Sequence, residues 1–170
     1  CTVHDIGDGV MCIEFQTKGN SIGEGIAKGI NEAIDIAERD GWNGIVIGNN
    51  DKQFSVGANL MNMGMMAMQK NFDEIEKFLV GFQKILMRMR TCNVPVVSAT
   101  HGFVMGGGLE VSIHCDAGIH ASESYIGLVE AGVGLIPGGG GTKEMAMRAS
   151  DSFNSGDVKM PSLIDHFKSI

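Results

Sequence analysis

A chain of 170 residues, 44% of them apolar, is long enough to bury the core of one domain. A net charge of −7 and 13 scattered Lys and Arg side chains argue against a nucleic-acid groove, which needs clustered cations. No apolar run approaches bilayer-spanning length and no charged-then-apolar leader is present, so neither a membrane span nor a cleaved signal is expected.

Residues 10–15 (VMCIEF) predict a strand, joined through a Gly7-Asp8-Gly9 turn to residues 2–6 as a hairpin. Ile22, Ile26, Ile30, Ala33, Ile34 and Ala37 recur at helical spacing and predict an amphipathic helix over about 21–39. Residues 44–48 (GIVIG) form a short, wholly apolar run, the pattern of a strand buried on both faces. A polar loop follows over 49–57. Leu60–Met68 holds five methionines and reads as a loose apolar helix. By frequency these are core filler; the functional alternative is a pliable wall for a flexible apolar ligand, since Met is unbranched and adapts its shape.

A second amphipathic helix spans 72–89, with Ile75, Phe78, Leu79, Phe82, Ile85, Leu86 and Met89 on one face. Lys84, Arg88 and, just past its end, Arg90 make the tightest basic group, expected to be a solvated face, although a ligand phosphate would also suit it. Residues 95–99 (PVVSA) predict another buried strand, entered through a proline that a strand edge tolerates. Gly106, Gly107 and Gly108 precede a short helix over 109–115. Residues 116–121 read as a strand and 125–128 as a short extended piece. A glycine run at 138–141 opens a helix to about residue 148, and 161–170 is expected to begin another. Strands alternating with helices give an α/β domain.

Several signals are set aside. The 25 glycines contain no GxGxxG, and Thr142 precedes Lys143 where a phosphate loop needs Lys first. Residues 19–23 (GNSIG) match a GxSxG nucleophile elbow, but the oxyanion loop of that fold lies upstream, where little chain remains. Ser21 as a helix N-cap, with Glu24 completing a capping box, accounts for the same residues. The five histidines offer no metal pair at helix spacing, and structural roles are expected for them. Cys1, Cys12, Cys92 and Cys115 show no CxxC and no ligand-like spacing, so reduced thiols in a cytosol-like compartment are expected and no metal site.

Three blocks remain. Phe54-Ser-Val-Gly-Ala-Asn-Leu60 is a small-residue turn after a strand. Gly102-Phe-Val-Met-Gly-Gly-Gly-Leu-Glu110 is a glycine turn opening a helix with an acid in its first turn. Gly127-Leu-Val-Glu130, continuing through Pro137 to Thr142, sets a second acid in a neutral, apolar loop. In this order, and with Cys115-Asp116 five residues after Glu110, they resemble the enoyl-CoA hydratase/isomerase, or crotonase, superfamily over about residues 10–148.

The resemblance implies an α/β spiral of repeated ββα units, with a core over 1–149. It implies that 150–170 begins a C-terminal helical region that is truncated here, since the family's domain is about half as long again, within ordinary domain sizes. It places oxyanion-hole amides at Ala58 and Gly107, where small residues let a thioester approach the backbone and donors stabilise a developing enolate. It makes Glu110 and Glu130 the acid–base pair around one water; neighbouring carboxyls in an apolar site split their proton affinities. Taken singly, Glu110 reads better as a first-turn acid that favours the helix dipole and Glu130 as a surface loop acid; the shared framework reverses that. Val56, Gly57, Asn59, Leu60, Gly106, Pro137 and Gly138 are implied substrate contacts; many relatives carry Asp at the Asn59 position.

The implied activity is hydration of trans-2-enoyl-CoA in fatty-acid β-oxidation. It needs no bound cofactor and no metal, the coenzyme A being carried by the acyl-CoA substrate. The two ends of the chain look most like the hydratase portion of bacterial multifunctional proteins, so NAD enters only with a fused 3-hydroxyacyl-CoA dehydrogenase. A cytoplasmic homo-oligomer with trimer-type packing, or fused domains, is implied, and the isolated stretch is expected to bind CoA esters poorly. The alternatives are a double-bond isomerase, which often works with one acid at the Glu130 position, and a non-catalytic interaction module of the same fold.

Overall fold

The computed structural model describes residues 1–154; the helix expected over 161–170 lies outside the described residues. In chain order the elements are β1 (Thr2–Asp5), β2 (Val10–Glu14), α1 (Glu24–Asp40), β3 (Gly44–Ile47), α2 (Leu60–Met68), α3 (Phe72–Thr91), β4 (Val96–Thr100), β5 (Phe103–Met105), α4 (Gly107–Ile113), β6 (Ala117–His120), β7 (Tyr125–Gly127) and α5 (Gly141–Asn154). The main sheet runs β1-β2-β3-β4-β6, antiparallel at the expected first hairpin and parallel beyond it.

A second layer gives the fold its logic. β5 pairs with β7 in parallel, and single bridges extend the layer from Ser55 to Val104 and from Ile22 to Ala58. Each coil of the chain therefore lays one strand in the main sheet, one extended piece in the second layer, and then a helix. The coils are β2–Ile22–α1, β3–Ser55–α2 and α3, β4–β5–α4, and β6–β7–α5. This is the expected spiral of ββα units.

Its core is the apolar stripe of α1 (Ile26, Ile30, Ile34) and of α3 (Phe82, Leu86, Met89), facing Met11, Ile13, Ile45, Ile47 and Val96 of the sheet. α1 stops at Gly41, whose φ of 73° lets its N–H cap the Ala37 carbonyl. Its start differs from expectation. The N-cap is Gly23 with no side-chain bond, not Ser21. Ile22 donates to Gly57 O and accepts from Asn59 N, at 2.8 and 3.0 Å, which keeps the chain extended past Ser21 and precludes the capping box.

The apolar strands are covered on one face only. Ile45 and Ile47 are buried while Gly44 and Val46 are half-buried, β4 alternates likewise, and all of β6 is exposed. The apolar runs thus come from β-branched residues on an uncovered face, not from burial on both sides. Ile119→Thr on β6, where Ile119 is 69% exposed, is expected to change the unfolding free energy by less than about 0.5 kcal/mol in a urea melt. A loss above about 2 kcal/mol would mean that this face is packed.

Nor does α2 fill the core. None of its residues is buried, and Met61 and Met68 are 77% and 86% exposed. All four cysteines are unpaired, and burial pushes the Cys115 thiol up to about 12. Among the described residues no helix is long and apolar enough to cross a membrane.

Candidate active site

The polar loop expected over 49–57 is well tied. Asn20 Nδ2 donates to Gln53 O, Asn49 Nδ2 to Phe54 O, and the buried Ser55 hydroxyl to Asn20 O at 2.7 Å. Phe54 and Ser55 donate to the carbonyls of His101 and Phe103, and Met105 N–H returns to Ser55 O at 3.0 Å. The second coil is thereby pinned alongside β5.

Two glycines make the approach closer. Gly57 has a φ of 90°, and a Cβ there would stand 2.7 Å from Met105 O and 3.2 Å from Gly107 N. Gly106 has a φ of 50° and a ψ of −120°, a conformation that L side chains rarely adopt. The backbone at 57–58 thus runs against that at 105–107, with the Gly107 Cβ position 3.4 Å from Ala58 N. Ala58 N–H and Gly107 N–H, the latter the first of α4, find no acceptor among the described residues. Two free main-chain donors stand side by side.

The acids close the site from the next two coils. Glu110, in the first turn of α4, is 2% exposed. Its Oε1 accepts from Gly139 N at 2.8 Å and Gly141 N at 2.9 Å. Burial raises its proton affinity, the Glu130 charge raises it further, and the amides of 139–141 oppose both. Glu130 opens a single 3-10 turn, Glu130–Val133. Its Oε1 lies over Gly106, 2.9 Å from where a Cβ would be, and its Oε2 is buried with no hydrogen-bond partner among the described residues. A buried carboxylate oxygen without a donor is costly unless something brings it a proton or a donor.

The structure therefore joins Gly57, Ala58, Gly106, Gly107, Glu110 and Glu130. Asn59 caps α2, its Oδ1 accepting from Asn62 N at 3.3 Å. Gly138 O accepts from Gln83 Nε2 of α3 at 2.6 Å, which orients the glycine run. Val56 lies against Gly19, and Leu60 is exposed at the start of α2. Pro137 is half-buried, just ahead of the glycine run whose amides hold Glu110.

A groove of about 610 Å³ runs between α1, α2 and α3, walled by Ile22, Ala27, Met63, Met66, Phe78 and Phe82. Ile22 Cδ1 and Phe82 Cζ also flank Gly107, at 3.6 and 3.7 Å from its Cβ position. Gly107 thus shares two wall residues with the groove. Two of the five α2 methionines line it, in keeping with a pliable wall.

The expected solvated basic face divides instead. Arg88 reaches Asn31, Asp35 and Glu38, while Arg90 pairs with Glu144, a buried α5 carboxylate, at 2.6 Å. His114 is buried beneath Glu110. Sequence reasoning missed the Arg90–Glu144 pair, because partners so far apart in the chain leave no local pattern.

The profile of the family described as Enoyl-CoA hydratase/isomerase matches residues 5–156. A Bacillus subtilis protein named Probable 3-hydroxyacyl-CoA dehydrogenase is 44% identical over 83% of this chain and 18% of its own length. The Short-chain-enoyl-CoA hydratase of Clostridium acetobutylicum is 35% identical over 60% of this chain and 38% of its own. This chain spans under half of the length of either relative. Solved structures that share its fold include two enoyl-CoA hydratases. An enoyl-CoA hydratase from Polaromonas sp. JS666 has a TM-score of 0.82 at 23% identity, over 86% of this chain and 57% of that one. One from Thermoplasma volcanium has a TM-score of 0.72 at 20% identity, over 98% and 89%.

Proposed function

Because the chain belongs to the enoyl-CoA hydratase/isomerase family, we propose that its site adds water across the double bond of a trans-2-enoyl-CoA. The carrying observation is the pair of unequal carboxylates, one anchored on two amides and one with a bare buried oxygen, beside two unused main-chain donors. The thioester oxygen docks on Ala58 N–H and Gly107 N–H. As the water oxygen bonds to the β-carbon, negative charge moves to the thioester oxygen, where the fixed donors stabilise it by several kcal/mol. One carboxylate takes a proton from the water and the other delivers one to the α-carbon, so the pair holds a single proton throughout. Raised proton affinity at Glu110 and a free Oε2 on Glu130 suit such a pair. Asn59, Leu60, Val56, Gly57, Gly106, Pro137 and Gly138 border the acyl-CoA in this scheme.

The name of the Bacillus subtilis relative, of whose length this chain matches 18%, supports a place beside a 3-hydroxyacyl-CoA dehydrogenase in a longer protein, which the proposal sets in fatty-acid β-oxidation. There a fused 3-hydroxyacyl-CoA dehydrogenase would use NAD, residues 1–149 would form the hydratase core, and 150–170 would lead into its helical cover. A cytoplasmic setting and trimer-type packing belong to the same proposal. The experiment is the loss of enoyl absorbance from crotonyl-CoA, run on the 170-residue chain and on a longer polypeptide that carries it. Turnover in the longer protein and little in the shorter is expected; no turnover in either overturns the assignment.

The methionine groove carries the acyl tail. Met66→Trp is expected to lower kcat/KM for trans-2-dodecenoyl-CoA by about tenfold, with crotonyl-CoA little changed, as filling a hydrophobic pocket does. Equal losses for both substrates would place the tail elsewhere.

A further inference from the structure

Behind Glu110 lies a second buried polar cluster that the hydration scheme does not use. His114, 1% exposed, ends α4. The helix tightens there, and the His114 main-chain N–H turns back to Val111 O at 3.3 Å. The Glu110 carbonyl is taken by the His114 ring instead, with Nδ1 at 2.7 Å. A carbonyl only accepts, so Nδ1 carries the hydrogen. Nε2 is left facing Glu144 Oε1 at 3.5 Å, buried and without a hydrogen bond. Burial holds the ring's proton affinity down; the Glu110 carbonyl and Glu144 oppose this, and Arg90 and Lys143 reinforce it.

Glu144 is itself 1% exposed. Arg90 grips both its oxygens, at 2.8 and 2.6 Å, and Lys143 adds a contact at 2.8 Å. Arg90 and Arg148 also donate to Ile113 O, which fastens the end of α4. Glu144 N–H donates to Gly140 O at 3.0 Å. The residues on either side of Gly140 are the ones whose amides hold Glu110 Oε1. Glu110 is therefore held at both ends, its carbonyl by His114 and its carboxylate by Gly139 and Gly141. Glu144 stands between the two holders, its N–H on Gly140 O and its carboxylate, fixed by Arg90, packed against the edge of the His114 ring.

We propose that His114, braced by Glu144 and Arg90, is a positioning residue for Glu110, fixing its main chain so that its carboxylate stays on the Gly139 and Gly141 amides. Only the kinetic part of the test rests on Glu110 being an acid–base group of hydration.

Wild-type protein comes first. Nitrogen-15 spectra of the His114 ring should show the Nδ1–H tautomer at neutral pH; the Nε2–H tautomer cannot donate to Glu110 O and would overturn the proposal. Two substitutions then separate the ring's halves. His114→Asn keeps a donor near the Nδ1 position, whereas His114→Gln places its amide nearer Nε2 and gives up that donor. Carboxyl carbon-13 titration of Glu110 should show its midpoint raised further in H114Q, as the carboxylate slips from its amides, and unchanged in H114N. In the protein that hydrates crotonyl-CoA, kcat should fall about tenfold to a hundredfold in H114Q at constant KM, with recovery in H114N. Equal behaviour of the two variants, or an unmoved Glu110 midpoint in both, refutes it. Where H114Q does not fold, the wild-type tautomer still decides. Absence of any hydration would remove the proposed function while leaving both spectroscopic results standing.

Discussion

Glu110→Gln is expected to lower hydration turnover by about 10²–10⁴-fold, the range for losing a positioned acid or base, while the fold stays intact. The amide oxygen of Gln can still accept from Gly139 and Gly141 N–H, which now hold Oε1 at 2.8 and 2.9 Å. What disappears is the second proton site. Steady-state assays with crotonyl-CoA should show the fall in kcat, and a double-bond isomerase assay should show a smaller loss if one acid at the Glu130 position serves isomerisation, as the family resemblance implies. A variant that hydrates as fast as the wild type would remove Glu110 from the chemistry.

The same substitution has a stability sign. Burial, then the Glu130 charge, raise the Glu110 proton affinity in the folded chain. Above the ordinary carboxyl range the folded state therefore binds more protons than the unfolded one, and stability falls as pH rises through that window. Gln has no charge to bury. Denaturant melts at about pH 4 and about pH 8, either side of the usual Glu range, should show the variant gaining on the wild type at the higher pH.

Gly106→Ala is the second large effect. Its backbone angles, φ 50° and ψ −120°, cost a non-glycine residue on the order of 1–3 kcal/mol. The new methyl would also stand 2.9 Å from Glu130 Oε1. A carboxylate at the end of a flexible side chain can move aside, so the steric part is relieved, but only by displacing the acid. Activity should then drop about a hundredfold, as misplacement by an ångström does, and the melting midpoint should fall by several degrees for a domain of this size. Chemical denaturation and crotonyl-CoA kinetics on one preparation check both. A stable but inactive variant would mean that the strain is small and only the acid has moved; a fully active one would disconnect Gly106 from Glu130.

Much of the fold was legible because its signals are local. The methionine helix at Leu60–Met68 has the bounds read from the sequence, and α3 starts at Phe72 as its apolar period requires. Misplaced ends trace to tertiary hydrogen bonds. α1 begins after Ser21 because Ile22 is drawn into the second layer. α5 begins at Gly141 rather than Gly138, because Gly140 sits at a φ of 106° and the amides beside it turn to Glu110. β5 and Ser55 went unread as strand because three residues and a single bridge carry too little periodicity against partners far along the chain.

The site divides in the same way. Gly57 and Gly106 show themselves, since close backbone approach demands glycine in a fixed order, while Glu110 stands out only through the ordered blocks around it. His114, Glu144 and Arg90 carry no such mark: each is an ordinary residue of its helix until α3, α4 and α5 meet. Nor could sequence tell that Val56 turns toward Gly19, because a loop residue's facing depends on the bonds that fold the loop.

The second layer also acts as a ruler. Ala58, Gly106 with Gly107, and Glu130 follow neighbouring rungs that Ser55, β5 and β7 hold in parallel. Adjacent rungs of any β-ladder repeat at about 4.8 Å, a dimension set by amide geometry and indifferent to side chains. The interval from the two free amides to the Glu130 carboxylate is thus inherited from the peptide bond itself, and surface segments linking the coils are free to lengthen or shorten without altering it.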